Sequence, residues 1–271
     1  MDHKLPRILS KLSNAPETKM LSGACDVEEI GDGQLNNVWR IRSRENPDVT
    51  MIVKYAPPYL KAAGPHFPLS VGRNKTEFNA LTKFDELHPG CVPKSYVHDD
   101  EHNLVIMEDL HDYKTMRKAL VAGEFHMGAV KKIAETVAIL HRKTHRKCVS
   151  AAQFAELVNR FENDEMLSMM NCYIFTYPLL PYHESNRYSD EVKAQLPRIH
   201  GDQIIQENTS RMKARHIAMK QCLVHGDFTT EAVMVKNDSA KLKQTTQEVI
   251  KTNSHEERDP PFTVYMGVLP K

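Results

Sequence analysis

Leu223-Val224-His225-Gly226-Asp227 decides the reading of this 271-residue chain. Apolar residues run into His-Gly-Asp, and a second apolar run, Val233-Met234-Val235, follows. The pattern predicts a buried strand that delivers one carboxylate to a turn, then another strand. A carboxylate held beside His225 and Gly226 can accept a hydrogen bond from an attacking hydroxyl. The same three letters recur at His200-Gly201-Asp202. There Pro197-Arg198 precede and Gln203-Ile204-Ile205-Gln206-Glu207 follow, a helical context without a second apolar run. The chemical role therefore goes to Asp227 and a structural one to Asp202.

Three further signals stand upstream, in order. In the first, a short strand over 27–30 enters Gly31-Asp32-Gly33-Gln34-Leu35-Asn36-Asn37. Glycines between strands let the backbone approach phosphates closely; an ordinary hairpin turn accounts for the same letters. The second is Lys54, inside the otherwise apolar Met51-Ile52-Val53-Lys54. A strand lysine partners the α- and β-phosphates when a helix glutamate positions it, and Glu77 is the candidate. The alternative is a lysine on the wet face of an edge strand. The third is Glu108-Asp109-Leu110, which follows the apolar run Leu104-Val105-Ile106-Met107. A strand that leaves one lobe for another offers backbone groups to an adenine edge; a simple strand end reads the same way. Glycine loop, strand lysine, hinge and turn carboxylate are the parts that hold ATP and orient a hydroxyl towards its γ-phosphate.

The remaining organisation supports an α+β chain. Residues 1–24 read as a helical lead-in, 38–42 and 50–55 as strands, and 56–72 as loop. Arg73 to Leu87 has helical spacing, with Phe78, Leu81, Phe84 and Leu87 near one face. Two short strands follow at 95–98 and 104–107. Val130, Ile133, Ala134, Val137 and Leu140 form a helical stripe over 127–145. Residues 151–170 and 202–220 read as helices, 171–198 as loops and short turns. The polar stretch 236–258 reads as an exposed or disordered insertion. The sum is a two-lobe, protein-kinase-like fold: a β-rich nucleotide-binding lobe over 1–110, then a mainly helical, incomplete lobe over 111–271.

Composition narrows the classes. The chain is 41% hydrophobic and 26% charged with a formal net charge of +1, so neither nucleic acid nor an anionic membrane is implied as a partner. Five widely spaced cysteines with no C-x-x-C pair point away from a disulfide framework or zinc site. The N-terminus lacks the apolar core of a signal peptide, and no apolar run approaches the ~20 residues of a membrane span. A cytoplasmic protein is expected. His141 and His145 lie four apart among Arg and Lys, which reads as a solvated basic helix end rather than a metal site.

Taken together, Gly31-Asp32-Gly33-Gln34-Leu35-Asn36, Ile52-Val53-Lys54, Pro57-Pro58-Tyr59, Phe67-Pro68-Leu69-Ser70, Met107-Glu108-Asp109-Leu110 and Leu223-Val224-His225-Gly226-Asp227 resemble methylthioribose kinase. The resemblance covers 27–120 and returns around 221–238. It implies phosphorylation of the 1-hydroxyl of 5-methylthioribose with ATP and Mg²⁺, in methionine salvage, by a family that tends to form homodimers. Carried over, Gly31, Gly33, Asn36 and Lys54 contact ATP, with Glu77 beside Lys54. The backbone at Glu108, Asp109 and Leu110 holds adenine, Asp227 binds the sugar hydroxyl, and the 67–70 segment lies near the nucleotide. The chain also departs from the family. Ala232 stands where a small polar residue is usual. The family's metal-binding Asp-Pro-Glu becomes Asp259-Pro260-Pro261, leaving Asp259 as the implied Mg²⁺ ligand and weakening metal affinity. The family's later arginine-bearing helical segment has no counterpart. A truncated, inactive relative that binds nucleotide or a partner protein is the competing reading. A kinase for another small alcohol, such as an aminoglycoside or choline-like substrate, is a third.

Overall fold

The computed structural model describes residue 9 and residues 16–30, 35–218 and 221–243. Gly31, Gly33 and Asp259 lie outside the described residues. The chain divides into two compact units, one holding residues up to 143 and resuming at 225, the other holding 144–224.

The first unit is built on five antiparallel strands: β1 (Cys25–Glu29), β2 (Asn37–Ser43), β3 (Thr50–Tyr55), β4 (Ser95–Asp99) and β5 (Leu104–Glu108), in the order β1-β2-β3-β5-β4. Side chains alternate across a strand. Trp39, Ile41, Met51, Val53, Leu104 and Ile106 therefore share one face and form an apolar core with Leu9 and Leu21. Ile52 and Lys54 point to the other face, which helix α1 (Arg73–Leu87) covers. The helix spans the residues its spacing predicts, but its buried face differs. Leu81 and Phe84 are buried, whereas Phe78 and Leu87 are only half-buried. The N-terminal half of the buried stripe is polar: Arg73, Asn74 and Glu77. Apolar periodicity is blind to such a stripe, because those three are buried by partners rather than by hydrophobicity.

The same unit continues with β6 (Lys114–Thr115), α2 (Met116–Val121) and α3 (Met127–Thr144), whose last residue begins the second unit. Thr115 caps α2, its hydroxyl accepting the Lys118 N–H at 3.2 Å. β7 (Val233–Lys236) and β8 (Ser239–Leu242) complete a small sheet ordered β6-β7-β8. Two expectations are corrected here. Residues 223–225 belong to no strand; the Leu223 N–H donates to the Thr144 hydroxyl at 3.1 Å instead of to a ladder. Within the stretch read as an insertion, Ser239–Leu242 forms a strand with Ala240 and Leu242 buried. Asn237, at φ 52°, makes the tight turn from β7 to β8. Two buried residues in so short a strand are too few to stand out in a polar sequence.

The second unit is helical: α4 (Ala151–Phe161), α5 (Asp164–Asn171), α6 (Asp190–Lys193), α7 (Leu196–Gly201) and α8 (Gln203–Ala218). The single helix expected over 151–170 is two, because Asn163 restarts the chain by accepting the Met166 N–H at 3.4 Å. Residues 171–198, expected as loops and short turns, hold π and 3₁₀ turns over 172–179 and, beyond the expectation, the short helix α6. Asp202 of the second His-Gly-Asp caps α8, accepting the Ile205 N–H at 3.1 Å. Among the described residues no helix is long and apolar enough to cross a membrane.

Candidate functional site

Lys54 lies on β3, a central strand, so the wet-edge alternative does not apply. Its ammonium pairs with Glu77 Oε1, and the two side chains are 9% and 1% exposed. Such a pair persists in a protein interior because each charge removes the cost of burying the other. The second oxygen, Glu77 Oε2, is buried and has no hydrogen-bond partner among the described residues. Asn36 is buried too, its Oδ1 accepting from Arg73 Nε at 2.9 Å.

The turn at 225–227 is set by its histidine. His225 Nε2 lies 3.0 Å from the Lys243 carbonyl oxygen, and Nδ1 lies 3.3 Å from the Asp227 backbone nitrogen. A carbonyl only accepts and a backbone N–H only donates, so Nε2 carries the proton and Nδ1 is bare. The ring is neutral, and burial pushes its pKa below the usual histidine value. Gly226 takes φ 80°, a conformation that favours glycine. The Asp227 carboxylate is half-buried and makes no hydrogen bond among the described residues.

Lys54 reaches this turn electrostatically. Its charge adds to burial in holding the His225 pKa down. The buried pair and the carboxylate turn both belong to the first unit. Lys243 and Arg73 belong to the same unit and are absent from the sequence-based candidates. Lys243 sits in a polar stretch with no motif, and Arg73 looks like any cation opening a helix.

The hinge-like residues have committed side chains. Glu108 accepts from the Lys94 N–H at 2.9 Å and pairs with Lys241 at 2.7 Å. Asp109, 2% exposed, binds Arg40 through two bonds of 2.6 and 3.1 Å. The Leu110 carbonyl accepts the Tyr113 N–H at 3.0 Å. Any contact of this stretch with a ligand falls to its backbone. Among the described residues no cluster of three metal-ligating groups is present. Asp259, the implied Mg²⁺ ligand, lies outside the described residues.

No protein-family model matches the sequence. Methylthioribose kinase of Geobacillus kaustophilus is 31% identical over 214 residues, covering 79% of this chain and 54% of the relative. That of Bacillus velezensis is 29% identical over 214 residues, with the same coverages. The chain thus spans about half the length of the curated relatives it matches. Among solved structures, a choline/ethanolamine kinase family protein from Mesorhizobium loti aligns with a TM-score of 0.49 at 14% identity, covering 90% of this chain and 65% of that one. The protein of a gentamicin–APH(2″)-IIa complex aligns with a TM-score of 0.48 at 15% identity, covering 90% and 71%. In sequence, this chain is similar to methylthioribose kinases.

Proposed function

We propose that this chain is a small-molecule kinase that uses ATP and Mg²⁺ to phosphorylate the 1-hydroxyl of 5-methylthioribose, giving 5-methylthioribose 1-phosphate in methionine salvage. The observation that carries the reading is the buried Lys54–Glu77 pair on β3 and α1, beside which the first unit also holds the half-buried Asp227 carboxylate. The names of the similar proteins supply the substrate.

Each residue then has a task. Lys54 neutralises charge on the α- and β-phosphates, and Glu77 keeps its ammonium from swinging away. The Asp227 carboxylate accepts the hydrogen bond of the sugar hydroxyl and aims that oxygen in line with the γ-phosphorus. As the new O–P bond forms and the bond to the β-phosphate oxygen breaks, the hydroxyl proton passes to Asp227. His225, neutral and bonded at both nitrogens, holds the turn in place. The backbone at 108–110 takes the adenine edge. Mg²⁺, when bound, offsets phosphate charge; Asp259 is the carboxylate proposed to hold it.

The test is direct. The chain is incubated with ATP, Mg²⁺ and 5-methylthioribose, and phosphorus NMR follows the sugar phosphate. A new sugar 1-phosphate signal is the expected result. ATP binding without any phosphorylated sugar would favour a nucleotide-binding relative that transfers nothing. Absence of ATP binding would remove both readings.

A further inference from the structure

Arg73 makes more connections than a helix-opening cation needs. It is 2% exposed. Nε donates to Asn36 Oδ1 at 2.9 Å. Nη1 donates to the Ser70 carbonyl at 2.6 Å and to the Leu69 carbonyl at 3.3 Å. Nη2 donates to the Pro57 carbonyl at 2.8 Å and to the Leu35 carbonyl at 3.2 Å. A guanidinium has five N–H groups in a rigid fork, and six acceptors, the Tyr59 carbonyl at 3.5 Å included, surround them. The acceptors lie on two separate segments, residues 35–36 entering β2 and residues 57–70 leaving β3. Arg73 and Glu77 are four apart on α1 and so share a face. One helix face therefore holds both Asn36 and Lys54.

The consequence concerns the Asn36 amide. Nε–H can only donate, so the Asn36 atom opposite it is the oxygen. The amide NH₂ points elsewhere and makes no hydrogen bond among the described residues. We propose that Arg73 is a positioning residue: by occupying the Asn36 oxygen and pinning both segments, it presents the Asn36 NH₂ as a donor to the phosphates of a bound nucleotide. This rests on the nucleotide-binding reading above. Lysine cannot replace Arg73, because a single ammonium cannot reach acceptors spread over two segments.

The test measures binding of ATP and of adenosine, which lacks the phosphates, by calorimetry on the full chain. Asn36→Asp keeps an oxygen facing Arg73 and gains charge pairing with it, but loses the donor. Its melting temperature is expected to match or exceed the parent's, with ATP affinity lower by about tenfold or more and adenosine affinity unchanged. Asn36→Ala removes the donor without adding charge and is expected to lose ATP affinity in the same way. Arg73→Lys is expected to weaken ATP by about tenfold in the parent but by no more than about twofold in the Asn36→Ala background. ATP binding by Asn36→Asp at parental strength would overturn the proposal. Equal losses for ATP and adenosine, or equal effects of Arg73→Lys in both backgrounds, would do the same. The Asn36 arms decide the matter even where Arg73→Lys fails to fold. A parent chain that binds no ATP removes the functional reading itself, whereas a binding parent with additive losses removes only this proposal.

Discussion

Lys54 of β3 and Glu77 of α1, 23 residues apart in sequence, meet as an ion pair within the first unit, almost out of reach of solvent. Their meeting joins the sheet to the helix that covers it. The pair also fixes where the Lys54 charge is felt, which includes His225.

Breaking this pair on one side leaves a charge buried alone. Lys54→Met is expected to destabilise the chain by about 3–5 kcal/mol in urea unfolding, because the Glu77 carboxylate stays buried without its cation. Lys54→Met combined with Glu77→Leu should recover most of that stability and still bind no ATP. A double variant as unstable as the single one would show that the charge pairing is not what the single variant loses.

Asp227→Asn preserves size and the backbone bond to His225 but cannot take the hydroxyl proton. Sugar phosphorylation is expected to fall by about 10²–10⁴-fold, with ATP affinity little changed. Steady-state rates beside a calorimetric titration test this. Unaltered turnover would remove Asp227 from the chemistry.

Acid should loosen the carboxylate turn. Burial holds the His225 pKa below its unfolded value, so the unfolded chain takes up a proton that the folded chain resists. The stability this contributes is complete above about pH 6.5, the ordinary histidine value, and drains away as pH falls towards the lowered folded value. His98, also lowered chiefly by burial, adds to the slope in the same direction. In His225→Gln, which keeps a donor and an acceptor, urea midpoints between pH 7.5 and 5.5 should fall less steeply than in the parent. Identical slopes would place the titration elsewhere.

Thiol reactivity should follow burial. Burial raises Cys91 to about 12 and Cys222 to about 11, so thiolate is scarce at both near neutral pH. Cys148 is exposed. In a native-state titration with a disulfide reagent at pH 8, Cys148 should react first and Cys91 only on unfolding, with peptide mapping to identify each. Rapid native labelling of Cys91 would contradict the packing around it.

Local order was written plainly in the residues. Alternation over 38–42 and helical spacing over 73–87 reproduce β2 and α1, because each pattern records which side of an element faces away from water. Patterns of that kind fail where burial is polar or brief. The buried face of α1 begins with Arg73, Asn74 and Glu77, and β8 has only Ala240 and Leu242 to announce it. Likewise 223–225 looked like a strand because it is apolar, yet a threonine hydroxyl takes the Leu223 N–H.

From its residues alone, then, this chain specified its principal strands and helices and brought forward a lysine and a carboxylate able to serve phosphate chemistry. Glu77 was already the candidate partner for Lys54, but tertiary structure alone decided the others: Asn36 for Arg73 and the Lys243 carbonyl for His225, at separations of 37 and 18 residues. The reason is physical. Periodicity encodes which way a side chain faces, whereas a hydrogen-bond partner across such distances is chosen only when the folded backbone brings donor and acceptor within about 3 Å.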